Sequence, residues 1–182
     1  MPLVFLFSNR GNWGILYIDV NLAIKECDVT MSVYGDKAYE AFFKGYNCSQ
    51  CVVLAFAPEM GLTEEQALNM ASGFGGGFGR LREVCGAFSG LTLVLGALYG
   101  NTDPAQKTHT YTEVQALAEQ YRHRNGGGSI VCRELLGLAK AEGSPVASAR
   151  TAEYYKKRPC PELVRLAADL MAEYIQQHPL DR

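Results

Sequence analysis

Six cysteines are spread along the 182 residues, at Cys27, Cys48, Cys51, Cys85, Cys132 and Cys160. A thiolate is both a nucleophile and a soft metal ligand, so such a set can exchange disulfides or hold a metal. Cys48 and Cys51 form a C-x-x-C pair, a spacing that in the first turn of a helix closes a disulfide or grips a metal from one side. No second C-x-x-C completes a zinc ribbon, no βαβ pattern surrounds the first, and no His follows Cys51 as c-type haem attachment requires. Cys51 runs straight into Val52, Val53 and Leu54, so a core role for it stands beside the functional one.

Cys85 closes a glycine run. Residues 71–90, ASGFGGGFGRLREVCGAFSG, hold seven glycines in twenty positions. Glycine loses the most backbone freedom on folding, so this density implies left-handed conformations or close backbone approach. Gly73, Gly75, Gly76, Gly77 and Gly79 could let main-chain N–H groups converge on an anion, a cofactor or a thiolate. A glycine-rich helix connection ending in an inert buried cysteine is the plainer alternative. Arg80 and Arg82 border the run and could hold a thiolate or an anionic substrate, but a solvated helix end explains them more simply. His109 and His123 have charged neighbours and read as surface residues. No Ser-His-Asp pattern, Walker loop or dinucleotide fingerprint is present.

The elements that must position these residues read as helices. Residues 33–45 are amphipathic, with Ala38, Phe42 and Phe43 on one side and Gly45 as the stop. Asn47 with Gln50, and Thr63 with Gln66, are capping-box pairs that start the second and third helices. A fourth begins near Cys85, is apolar on nearly every face and should be the buried centre, with Gly86, Gly90 and Gly96 admitting close neighbours. Asp103-Pro104 starts a fifth that runs to about Arg124. A short helix over residues 130–138 carries Cys132, residues 142–150 form a loop, residues 151–158 a turn or partial helix, and Cys160-Pro161 opens the last helix. The expected fold is all-α: a single compact helical domain of about six to seven helices around a buried central helix, spanning residues 31–182. Cys48, Cys85, Cys132 and Cys160 then each lie at or within the first turn of a helix. There, unsatisfied N–H groups and the positive end of the helix dipole favour a thiolate.

Composition narrows the function. With 17 basic against 19 acidic residues the formal charge is −2, and no basic block offers a footprint for nucleic acid. The longest apolar run, residues 87–99, is too short to span a membrane. Too few cysteines for a disulfide miniprotein, and no convincing secretory signal, lead us to expect a reducing cytoplasm. Residues 1–30 differ in texture, with the only Trp and a short strand expected over residues 14–20 that has no sheet to join. They are expected to be a non-native or disordered extension, with the native start at Met31. Peptides from before Met31, recovered from the protein made in its own host, would refute this.

The motifs Gly45-Tyr46-Asn47-Cys48-Ser49-Gln50, Gly73-Phe74-Gly75-Gly76-Gly77, Cys85-Gly86-Ala87-Phe88-Ser89-Gly90, Cys132-Arg133-Glu134-Leu135-Leu136 and Cys160-Pro161 resemble those of the bacterial and archaeal C_GCAxxG_C_C family of redox-active proteins. The resemblance covers residues 31 to about 174, and the chain reads Cys-Gly-Ala where the family name writes Gly-Cys-Ala. It implies that the four signature cysteines are Cys48, Cys85, Cys132 and Cys160, with Cys51 an extra. It also implies a partner among oxidoreductases or transporter-associated proteins, since members tend to be encoded near such genes. Some related sequences are described as split-Soret cytochromes, but the absent C-x-x-C-H argues against covalent haem here.

Three readings follow. The first is a thiol redox protein, and so an oxidoreductase candidate, in which Cys48 or Cys85 attacks, Cys132 or Cys160 resolves, and Gly75, Gly76, Gly77 and Gly86 approach the reacting group. The second is a four-cysteine iron–sulfur or zinc site built from Cys48, Cys85, Cys132 and Cys160, serving electron transfer or metal binding. The third is a non-catalytic helical module, open to oligomerisation, whose cysteines serve structure.

Overall fold

Ser32 starts the helical part of the molecule. Its Oγ accepts the Gly35 N–H at 2.9 Å and so caps α1 (Val33–Phe43). The same hydroxyl donates to Asp169 Oδ1 at 2.6 Å, and the Ser32 N–H donates there at 2.9 Å, which ties the start of α1 to the last helix. The computed structural model describes residues 3–9, 12–18, 32–140 and 144–180. The chain divides into two units, Met1–Met31 and Ser32–Arg182. In the first, β1 (Leu3–Asn9) and β2 (Asn12–Ile18) pair antiparallel, with Leu3 opposite Ile18 and Asn9 opposite Asn12. The strand expected over residues 14–20 thus lies at Asn12–Ile18.

The second unit is all-α among its described residues. After α1 come α2 (Cys48–Ala55), α3 (Glu64–Ala71), α4 (Gly86–Tyr99), α5 (Lys107–Arg124), α6 (Cys132–Leu135), α7 (Ala152–Lys156) and α8 (Cys160–Gln177). Both capping boxes form as the sequence implies. Asn47 Oδ1 accepts the N–H groups of Ser49 and Gln50 at 3.0 Å each, while Gln50 Oε1 accepts the Asn47 N–H at 3.1 Å. Thr63 and Gln66 repeat the exchange at 3.2 and 2.9 Å. The α2 cap also reaches outward: Asn47 Nδ2 donates to the Ser72 carbonyl and Gln50 Nε2 to that of Leu68, fastening the end of α3 where the glycine run begins. Each cap of this kind is worth about 1 kcal/mol.

The core lies among α1, α2, α4 and α8, with Phe42, Phe56, Leu91, Val164, Leu170 and Met171 fully buried. Each large apolar side chain contributes about 1.5–3 kcal/mol by leaving water. Gly86 and Gly90 set the distance between α4 and α2. A Cβ on Gly86 would lie 2.9 Å from the Phe74 carbonyl oxygen, and one on Gly90 would lie 2.9 Å from that of Ser49. Two expectations need correction. Gly96 has nothing within 4 Å, and the last turn of α4 is open to solvent, so only the N-terminal two-thirds of that helix is central. Phe43 does not join Ala38 and Phe42 inside; it is 47% exposed and stacks on Tyr155 with ring centres 4.9 Å apart. No helix among the described residues is long and apolar enough to cross a membrane.

Candidate redox site

The glycine run winds left-handed. Gly76, Gly77, Phe78, Gly79 and Arg80 have φ of +65°, +73°, +56°, +57° and +70°, and Arg82 follows at +64°. Glycine adopts this freely, but for Phe78, Arg80 and Arg82 it costs about 1–2 kcal/mol each. Backbone hydrogen bonds hold the loop, from Gly79 N–H to the Gly73 carbonyl at 2.8 Å and from Arg82 and Glu83 to Gly76 and Gly77 at 3.3 Å. The loop delivers residues 82–85 alongside residues 130–133. Val84 pairs with Val131, Cys85 N–H donates to the Ile130 carbonyl at 2.7 Å, and Cys132 N–H donates to that of Glu83 at 2.6 Å. Cys85 and Cys132 therefore stand diagonally on one face of a short antiparallel pair. A Cβ on Gly77 would lie 2.8 Å from the Cys132 Cβ, so only glycine leaves room for that cysteine.

Cys48, Cys132 and Cys160 line a cavity of about 270 Å³. Cys48 is half-buried and the other two buried. Four arginines share the wall, Arg80, Arg82, Arg150 and Arg158, together with Tyr154. Arg150 is fixed by the carbonyls of Phe42 and Tyr46, to which it donates at 3.1 and 2.9 Å, and lies 4.3 Å over the Phe42 ring. Arg158 lies 4.7 Å over the ring of Tyr154. Cys85 sits behind the cavity, its Sγ 3.6 Å from the hydroxyl of fully buried Tyr121 on α5. Cys51 faces the core one turn along α2 from Cys48, its thiol donating to the Tyr46 carbonyl at 3.6 Å.

These surroundings separate the thiols. Cys160 is pulled from 9.0 down to about 7 by a hydrogen bond from Cys48 and by the positive charges of Arg158 and Arg150, against the opposing effect of burial. Cys48 is pushed well up, first by giving that hydrogen bond and then by burial and the charge on Cys160. The two titrate as a pair, and the positive charges of Arg158 and Arg150 favour the negative charge on Cys160. Burial pushes Cys51 up to about 12 and Cys85 up to about 11, the latter against hydrogen bonds from Tyr121 and from the Ala87 N–H. Cys132 is also raised by burial, although Arg82 bonds its sulfur and opposes the shift.

Of the four cysteines of the motif, Cys48, Cys132 and Cys160 share the cavity wall, and Cys85 lies behind it against Tyr121. Cys51 belongs to the core instead, and Cys27 lies outside the described residues. Gly75 and Gly76 line the cavity, while Gly77 and Gly86 give room to Cys132 and Cys48. Arg82 is 2% exposed and bonded to Cys132, so it is not a solvated helix end. Helix dipoles act at Cys48 and Cys160 on eight- and eighteen-residue helices; α6 is a single turn and lends Cys132 little. His109 and His123 are on the surface, as expected. Arg150, Arg158, Tyr154 and Tyr121 were not singled out from the sequence. The one available signal was the cationic, aromatic stretch 150–158 directly before Cys160. Among the described residues no three His, Cys, Asp or Glu side chains converge as a metal ion requires.

A family model described as "Putative redox-active protein (C_GCAxxG_C_C)" matches residues 46–174, a span that holds all four motif cysteines and the cavity. No curated protein and no solved structure matches the chain.

Proposed function

Because the chain belongs to the C_GCAxxG_C_C family, we propose that it is a thiol–disulfide redox protein in which Cys160 is the attacking thiolate and Cys48 closes the disulfide. The observation that carries this reading is that Cys48 and Cys160 line one cavity wall together with Arg150 and Arg158. It reverses the roles expected from sequence, where Cys48 was an attacker and Cys160 a resolver. Attack by Cys160 on a disulfide forms one S–S bond and releases one thiolate. The negative charge that kept the Cys48 proton in place then disappears, so Cys48 ionises more easily at the step that needs it. Cys48 attacks the Cys160 sulfur and expels the second thiolate. The protein has lost two electrons and the single proton of the pair, and the substrate has become one thiol and one thiolate, which takes its proton from water.

Cys85 and Cys132 are poorer partners for each other. Diagonal neighbours across antiparallel strands lie about 7–8 Å apart, with Cβ atoms somewhat closer, against a Cβ separation of roughly 4 Å in a disulfide. Diamide oxidation followed by mass mapping tests the assignment. The expected product is a Cys48–Cys160 bridge, lost in Cys48→Ser and in Cys160→Ser. A bridge confined to other cysteines, or a stoichiometric metal in protein purified without oxygen, would overturn it.

A further inference from the structure

The cavity has a charge character that thiol chemistry alone does not require. Four arginines line it, and among the described residues lining it there is no Asp or Glu. Arg150 is held by neutral carbonyls and aromatic faces, and Arg158 lies over the Tyr154 ring on the same wall as Cys160; among the described residues neither meets a carboxylate. A single thiolate on the Cys48–Cys160 pair balances only one of the two charges of Arg150 and Arg158. Opposite charge focused in a low-dielectric cleft raises the local concentration of a complementary ligand and its rate of encounter. At about 270 Å³ the space is at the lower edge of small-molecule sites, roughly 300–1,000 Å³. It suits a short molecule rather than a protein segment.

Resting on the thiol–disulfide reading above, we propose that the substrate of this site is a small organic disulfide bearing carboxylates, held by Arg158 and Arg150 with its S–S bond against Cys160. The Cys160 thiolate attacks the nearer sulfur, the substrate S–S bond breaks, and a carboxylated thiolate leaves. Cys48 loses its proton and attacks the Cys160 sulfur of the mixed disulfide, releasing the second carboxylated thiol. One substrate disulfide is reduced to two thiols for each Cys48–Cys160 disulfide formed, so the step balances within a single turnover. An external dithiol restores the reduced protein. Arginine is suited to the task because its planar fork meets a carboxylate through two parallel N–H groups.

Three probes of the same chemistry and similar length test this with the full chain: dithiodiglycolate (anionic), bis(2-hydroxyethyl) disulfide (neutral) and cystamine (cationic). Single-turnover rates are followed by the appearance of the Cys48–Cys160 bridge. The expected order is anion over neutral over cation, with at least about a tenfold gain for the anion at low salt that shrinks as salt rises. The anion-to-neutral ratio is the readout for Arg158→Gln and Arg80→Gln, because a change in Cys160 nucleophilicity affects both probes and cancels. Collapse of that ratio in Arg158→Gln is expected. Equal rates for the three probes in the wild-type protein, or cystamine reacting fastest, would overturn the substrate class, and so would a ratio unchanged in both variants. If diamide closes the Cys48–Cys160 bridge while none of the three probes does, this inference falls and the redox reading stands. If diamide fails as well, both fall.

Discussion

The cavity wall and the core behind it hold the same side chain under opposite conditions. Cys160 and Cys51 are both buried, yet Cys160 is held near 7 and Cys51 pushed to about 12. Desolvation acts on both and always favours the neutral thiol. The difference is what else is present. Cys160 has a hydrogen-bond donor and two guanidinium groups in range, while Cys51 has the Tyr46 carbonyl and apolar neighbours, with Arg150 opposing burial only in part. Placement at a helix start is thus not enough to make a cysteine acidic. Cys48 occupies the first position of α2 and is nevertheless raised, because it is the donor in the pair.

The largest expected effect on this contrast comes from removing its acidic member. Cys160→Ser should abolish the diamide-induced bridge to Cys48 and lower total thiol alkylation at neutral pH by on the order of tenfold or more, as measured by mass spectrometry. Next come the glycines that hold the wall in place. Gly77→Ala forces a Cβ to 2.8 Å from that of Cys132 at a φ of +73°, and Gly86→Ala meets the Phe74 carbonyl at 2.9 Å. Each should cost about 2 kcal/mol or more in urea denaturation. If Gly77→Ala left stability and Cys132 labelling unchanged, the close-packed wall would be refuted.

The pH dependence of stability separates the two regions more finely. Cys51 and Cys85 have folded values of about 12 and about 11 against an ordinary 9.0. Their contribution is whole below pH 9 and is lost as pH rises through those values, because the unfolded chain ionises first. Cys160, lowered to about 7, contributes in the opposite sense. Its share is whole above pH 9 and is lost as pH falls through 7. The urea midpoint of the wild-type protein should therefore fall between roughly pH 9 and 11, and should fall less in Cys51→Ala. Cys51→Ala itself should lower stability by about 1–2 kcal/mol and leave the Cys48–Cys160 bridge intact. The smallest effect belongs to Gly96→Ala. With nothing within 4 Å of its Cβ on an exposed helix face, it should stabilise by about 0.5–1 kcal/mol.

Local rules were legible in the sequence where the partners are local. Asn47 with Gln50 and Thr63 with Gln66 are three residues apart, and both boxes form. The motif cysteines were legible as a set through the family resemblance, and three of them, Cys48, Cys132 and Cys160, line one cavity. What stayed hidden depends on distant neighbours. Arg82 looked solvated because nothing nearby in sequence shows that a left-handed turn carries it inward to Cys132. Asp169 sits on the apolar face of α8 because Ser32, 137 residues away, satisfies it. Arg150 belongs to a segment with no periodicity of its own, so its approach to Cys160 is a tertiary fact.

The most direct test of the central claim is site-resolved alkylation by iodoacetamide of the native protein across pH, read cysteine by cysteine. The expected result is that Cys160 labels first, with a midpoint near pH 7, while Cys51 and Cys85 stay unlabelled until the chain unfolds. Labelling of Cys160 that rises only towards pH 9, or of Cys85 ahead of it, would contradict the assignment of Cys160 as the attacking thiolate.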